Sequence, residues 1–210
     1  MTQKVTFHIT SSTFVDDALK HIFSHHNLST DKEYSDLIEN CVRSIAVIAA
    51  FQSIVKSLSA SAINETNAAV LNGYVSHFIT EVISARGFIE EIEKKFLEDI
   101  PNFPQSDLLI PQFDKLYPIL KGIRNTLEHN AERRRGLKTG RKPIPNISPL
   151  LRPDGTLAKC GELVIFPPSV VKCHLSNGTV GEVDLERVSQ YVGKILTETV
   201  GRFPLKNPQQ

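Results

Sequence analysis

LNGYVSHFITEVISARGFIEEIEKKF, residues 71–96, is the stretch that decides the fold. Leu71, Val75, Phe78, Val82, Ala85, Ile89, Ile92 and Phe96 are separated by alternating steps of four and three residues. That spacing puts every one of them on a single face of an α-helix and draws a continuous apolar seam along it. A seam of this length needs partners lying alongside, which predicts antiparallel helix packing. Pro101 and Pro104 lack the amide hydrogen that a continuing helix needs, so the helix should stop before them.

Working toward the N-terminus, Tyr34, Leu37, Ile38, Cys41, Ile45, Ile48, Val55 and Leu58 repeat the same spacing. They predict a second long helix from a Thr30 cap to about residue 59, with a Ser/Ala-rich turn over 59–62. An earlier helix should run from the Ser12/Thr13 cap to about His25. Val5, Phe7 and Ile9 alternate with polar residues, which permits a short strand. Toward the C-terminus, a helix is expected from Pro111 to Arg135, with Leu116, Leu120, Ile123 and Leu127 as its apolar stripe. Pro118 lies inside this span and predicts a kink or a new start.

Composition changes after Gly136. Residues 136–155 carry Pro, Gly and basic side chains and read as a loop. Leu163–Phe166 and Val170–Leu175 are strand-like, and Asn177-Gly178 is a strong hairpin signal leading to a return strand over Val180–Leu185. A strict two-residue turn would pair Cys173 with Glu182 and mix the faces of the sheet, so a bulge is expected, placed at Gly181. A last helix should start at an Asp184 cap and present Val188, Tyr191, Val192, Ile195 and Leu196 on one side. The expected architecture is therefore mainly α: a bundle of four to five antiparallel helices over 1–150, then a small β-hairpin or sheet and a final helix over 151–210. Together these should form one domain, 1–210.

The composition excludes several functions. A net charge of +1 means that any affinity for nucleic acid must come from a local patch. Three cysteines, Cys41, Cys160 and Cys173, with no CxxC pair, argue against a disulfide framework or a zinc site. His21 and the His25-His26 pair have no carboxylate or cysteine cluster to join them in binding a metal. The sequence holds no Walker loop, no GxGxxG and no GxSxG. No cofactor and no metal are expected. The run Ile45–Ile54 is too short to span a bilayer and reads as a buried helix, and the absence of a signal-peptide pattern favours the cytoplasm.

One stretch carries chemistry: Ile123-Arg124-Asn125-Thr126-Leu127-Glu128-His129-Asn130. With Leu127 at the centre of the buried stripe, Asn125 and His129 are one turn apart and point away from it, while Arg124 and Glu128 lie on the flank. This arrangement permits cleavage of RNA. A neutral imidazole takes the proton of a ribose 2′-hydroxyl, which attacks the adjacent phosphate. A guanidinium stabilises the charge that develops on the phosphorane oxygens, and an amide orients the phosphate or the ring. The competing reading is structural: Arg124 pairs with Glu128 at i,i+4 and His129 is a surface residue at a helix end. Arg133, Arg134, Arg135, Lys138, Arg141 and Lys142 follow directly, and read either as a phosphate-binding rim or as a solvated loop at a helix C-terminus.

Arg124-Asn125-x-x-x-His129, on the last long helix of an antiparallel helical array, resembles the signature of the HEPN superfamily: an Arg, a polar residue, three further residues and a His. The Asn177-Gly-x-x-Gly-Glu-Val-Asp184 hairpin before a final helix is similar to that of some bacterial members. The resemblance covers about 31–135, and the region after 150 only loosely. It implies a helical bundle that dimerises so that two signature helices form one composite cleft. It also implies a metal-independent endoribonuclease with Arg124, Asn125 and His129 as catalytic residues, in a toxin–antitoxin or phage-defence setting with a protein antitoxin as a further partner. Other members are non-catalytic modules that bind RNA or protein, which is the alternative expectation. Members silenced by a nucleotidyltransferase carry a Tyr two residues after the His. Here that position is Ala131, so regulation of that kind is not expected.

Overall fold

A computed structural model of the chain describes residues 20, 22, 32–59, 65–100, 102–129, 135–138, 142–144, 146–166 and 169–203. Among these the architecture is mainly helical, with a small antiparallel sheet and a C-terminal helix, as the periodicities predicted. The helices are α1 (Lys32–Ser59), α2 (Glu65–Asp99), α3 (Ile110–Leu116), α4 (Leu120–Glu128) and α5 (Leu185–Val200), with a 3-10 turn at Gln105–Asp107. The strands are β1 (Leu137–Lys138), β2 (Lys142–Pro143), β3 (Leu163–Phe166), β4 (Val170–His174) and β5 (Val180–Asp184). The expected N-terminal strand, most of the first helix and the Thr30 cap lie outside the described residues; Lys20 and Ile22 are helical and Ile22 is buried.

The chain falls into two compact units. One comprises Met1–Ala49, Glu81–Lys115 and Ser189–Gln210; the other comprises Ala50–Thr80 and Leu116–Val188. In the first unit the seam predicted on α2 is buried from Val82 through Phe96, and so are Tyr34, Ile38, Cys41, Ile45 and Ile48 of α1. Tyr34 meets Phe96, with its hydroxyl donating to Asp99, while Cys41 lies against the Ala85 carbonyl. Rising numbers on α1 thus meet falling numbers on α2, which makes this pair of segments antiparallel. The segment Lys32–Ile54 is long and apolar enough by composition to cross a bilayer, and Tyr34, Ile38, Cys41, Ile45 and Ile48 within it are buried in the protein.

Two polar ties hold α3 in the same unit. The Arg86 guanidinium grips Asp114 through both carboxylate oxygens, at 2.9 and 2.6 Å, and donates to Glu90 at 2.6 Å. The Asp114 bond is the largest of the influences that raise its pKa above the ordinary arginine value. The buried Glu93 carboxylate accepts the backbone N–H groups of Leu109 and Ile110, the orphan donors at the start of α3. Arg202 lies 3.7 Å from the same carboxylate and donates to the Asp107 carbonyl.

The second unit contains the sheet, in the order β3-β4-β5, all antiparallel. Its register corrects the bulge expected at Gly181. Cys173 lies opposite Gly181 and His174 opposite Val180, in regular pairing. The turn therefore has three residues, Ser176, Asn177 and Gly178, closed by Gly178 N–H to Leu175 O at 3.0 Å and Leu175 N–H to Thr179 O at 2.8 Å. The extra residue sits at Gly178, whose φ of +85° a side chain would oppose, and not at Gly181. Asp184 caps α5 as expected, accepting from the N–H groups of Glu186 and Arg187 at 3.0 and 3.3 Å. The stretch expected as a loop after Gly136 contains the short β1–β2 ladder.

Candidate active site

The helix expected over Pro111–Arg135 is two helices. Pro118 removes an amide donor and pushes Tyr117 out of helical geometry, so α3 ends at Leu116 and α4 starts at Leu120. The second helix ends at Glu128, and His129 leaves helical geometry (φ −106°, ψ 29°), its N–H bonding Asn125 O at 3.1 Å. Leu116 is thereby released from the predicted stripe and is 57% exposed. Thr126, 0% exposed, takes the inward position, with Leu120 and Ile123, while Leu127 is half-buried.

The corrected phase still turns the signature outward. Measured from Ile123, the centre of the buried face, Asn125 lies about 160° around the helix and Arg124 about 100°. Asn125 and Arg124 are exposed and His129 is half-buried. The three therefore extend over the last turn of the helix and the residue that follows it, and none is enclosed by the core. Arg124 Nε donates to Glu128 Oε1 at 2.7 Å, with both side chains nearly half exposed, so the i,i+4 pair of the structural reading is present. An exposed pair of this kind contributes about 0.3–0.5 kcal/mol, little enough for a phosphate to displace.

The inward face shows two residues that periodicity alone did not single out. Thr126 Oγ1 donates to the main-chain carbonyl of His174 at 3.0 Å. The His174 ring, 2% exposed, bonds through Nε2 to Ser148 O at 2.8 Å, which makes Nε2 the protonated nitrogen; Nδ1 meets no partner among the described residues. Keeping an unmatched ring nitrogen in the interior costs about 1–3 kcal/mol. The signal for Thr126 was its i+3 offset from Ile123. His174 breaks the in–out alternation of Val171 and Cys173 and gave no signal.

Close packing completes the support of α4. Gly122 lies under Leu175, and Gly181 under Ile119 and Leu175, so tightly that a Cβ at Gly181 would stand 2.7 Å from Ile119 Cδ1. Of the expected basic rim, Arg135 and Lys142 are exposed, Lys138 lies opposite Lys142 in the β1–β2 ladder, and Arg133, Arg134 and Arg141 fall outside the described residues. Burial pushes the Cys173 thiol up to about 12, which makes it a core residue rather than a nucleophile. Among the described residues no group of three or more His, Cys, Asp or Glu side chains is placed to hold a metal ion.

Comparison with protein-family models, with curated proteins and with solved structures finds no match to this chain. What the fold and the site define is a mainly helical protein in which a short helix, ending at a histidine, is docked on a three-stranded antiparallel sheet.

Proposed function

We propose that the protein is a metal-independent endoribonuclease of HEPN type, acting in the cytoplasm on RNA through a site that two copies of α4 complete across a homodimer interface. The observation that supports this reading is that Arg124 and Asn125 are exposed at the end of α4, away from the buried Leu120, Ile123 and Thr126, with His129, half-buried, directly after the helix. His129 takes the proton of the 2′-hydroxyl, and the 2′-oxygen forms a bond to phosphorus. The 5′-oxygen leaves with a proton from the second copy's histidine, giving a 2′,3′-cyclic phosphate and a 5′-hydroxyl. Arg124 exchanges Glu128 for the phosphate oxygens, and Asn125 orients the phosphate or the ring.

The test is cleavage of single-stranded RNA by purified protein in EDTA. Wild type should produce cyclic-phosphate ends and leave DNA intact, and His129→Ala should lose about 10²–10⁴-fold in rate. Equal cleavage by both proteins would assign the activity to a contaminant or another site. A second reading, a non-catalytic HEPN-like module that binds RNA or protein, is favoured by the engagement of Arg124 with Glu128. RNA binding without turnover would select it.

A further inference from the structure

Threonines inside helices ordinarily turn their hydroxyl back to the carbonyl four residues earlier. Thr80, Thr197 and Thr199 do so here, to Ser76, Gly193 and Ile195 at 3.0, 2.9 and 2.7 Å. Thr126 does not. Its hydroxyl leaves the helix and reaches the carbonyl of a residue 48 positions away, on the central strand of the sheet.

The acceptor is firmly held. His174 lies in the β4–β5 ladder opposite Val180, and its ring bonds Ser148 O at 2.8 Å. Ser148 N–H in turn donates to Gly178 O at 2.9 Å, in the hairpin turn. The donor belongs to a helix that does not fix its own pose. With nine residues and no side-chain cap at Ile119, α4 is shorter than the ~12–15 residues at which an isolated helix becomes even marginally stable. Its N-terminal half packs on Leu175 and Gly181 through Gly122 and Ile119. The Thr126 bond acts on the other half, one residue after Asn125 and three before His129, within the turn that His129 N–H closes on Asn125 O.

We infer that Thr126 and His174 are positioning residues, whose hydroxyl-to-carbonyl bond sets the C-terminal half of α4, which carries Arg124 and Asn125 and leads directly into His129. The hairpin is then a platform for the site and not an appendage. The effect on turnover rests on the ribonuclease reading above, whereas the effect on His129 itself does not.

Thr126→Val keeps the volume and removes the hydroxyl, and Thr126→Ser restores it. In Thr126→Val, kcat on RNA should fall about 10²-fold or less by misplacing the reactive turn. Affinity for an uncleavable 2′-O-methyl RNA should stay within about twofold of wild type, because a group that only positions chemistry affects the transition state. Thr126→Ser should recover most of the rate. In parallel, the ring NMR signal of His129, assigned with His129→Ala, should shift in the valine variant and return in the serine variant. If the valine variant does not fold, Thr126→Ala replaces it. Unchanged kcat, or a serine variant as slow as the valine variant, overturns the inference. If wild type cleaves no RNA, the ribonuclease reading fails, and the NMR comparison alone decides: a His129 signal indifferent to position 126 overturns the inference.

Discussion

Gly181→Ala is a one-carbon change whose cost follows from the way α4 sits on the sheet. The added Cβ would stand 2.7 and 2.8 Å from Ile119 Cδ1 and Cγ1, and 3.0 Å from Leu175 Cδ2. Carbon atoms rest at about 3.5–4.0 Å, so the overlap approaches 1 Å on one side chain. Ile119 cannot simply swing away, since two of its carbons are involved and it stands at the entry to α4. Overpacking of this kind costs about 1–3 kcal/mol. In a chain of this size that lowers the melting temperature by roughly 2–12 °C. Thermal and urea unfolding, monitored by circular dichroism, measure it. The clash has a named partner, so a double-mutant cycle isolates it. In an Ile119→Ala background most of the penalty should disappear, with a coupling of about 1 kcal/mol or more. An alanine variant as stable as wild type, or a penalty of equal size in both backgrounds, would refute the close docking of α4 on β5.

Two further outcomes follow from single carboxylates. Glu93 is held above its ordinary range, chiefly by burial, against the downward pull of the Leu109 and Ile110 N–H groups and Arg202. A raised folded-state value contributes stability that is complete below the ordinary glutamate range and is lost as pH rises through the raised one. Melting temperatures from pH 4 upward should therefore fall for wild type relative to Glu93→Gln, and parallel curves would contradict the assignment. Glu128→Gln removes the carboxylate that occupies Arg124. It should change unfolding free energy by only a few tenths of a kcal/mol while tightening RNA binding at low salt, and it should have no effect on binding in an Arg124→Gln background. Filter binding across a salt series checks this, and weaker binding in Glu128→Gln counts against a phosphate role for Arg124.

The long elements were legible because many residues vote for one phase. In α2 the seam from Val75 to Phe96 is buried without exception, and no local rule competes with it. The Asp184 cap and the hairpin were legible because capping and turn chemistry are local. Elsewhere local rules left the outcome open or pointed to the wrong residue. Pro118 predicted a kink or a new start, and the new start forms, with α3 ending at Leu116 and α4 beginning at Leu120. The hairpin needed one extra residue, expected at Gly181, and Gly178 takes it. The turn bond from Gly178 N–H to Leu175 O holds it there. Gly181 instead serves as the low point on which Ile119 rests. The outward placement of Asn125 survived the change of phase, because it opposes the buried face in either one. Thr126 and His174 were not legible as a pair, since nothing local joins residues 48 apart in the chain.

The two faces of α4 bear differently on the two functional readings. The inward face, with Thr126 on the sheet and Gly122 under Leu175, holds the helix for either purpose. The outward face holds one imidazole, one amide and a guanidinium shared with Glu128. Binding a phosphate asks only that Arg124 change partners. Breaking a phosphodiester asks for a base at the 2′-oxygen and an acid at the 5′-oxygen, on opposite sides of the phosphorus. A single histidine does not stand on both sides at once. Catalysis by this turn therefore requires a second turn facing it, whereas binding does not. A strictly monomeric protein that still binds RNA would thus decide for the binding module before any nuclease assay is run. A dimer with the two α4 helices at the axis would supply both groups from one sequence. In that arrangement each Thr126 bond would set not only its own histidine but the distance between the two.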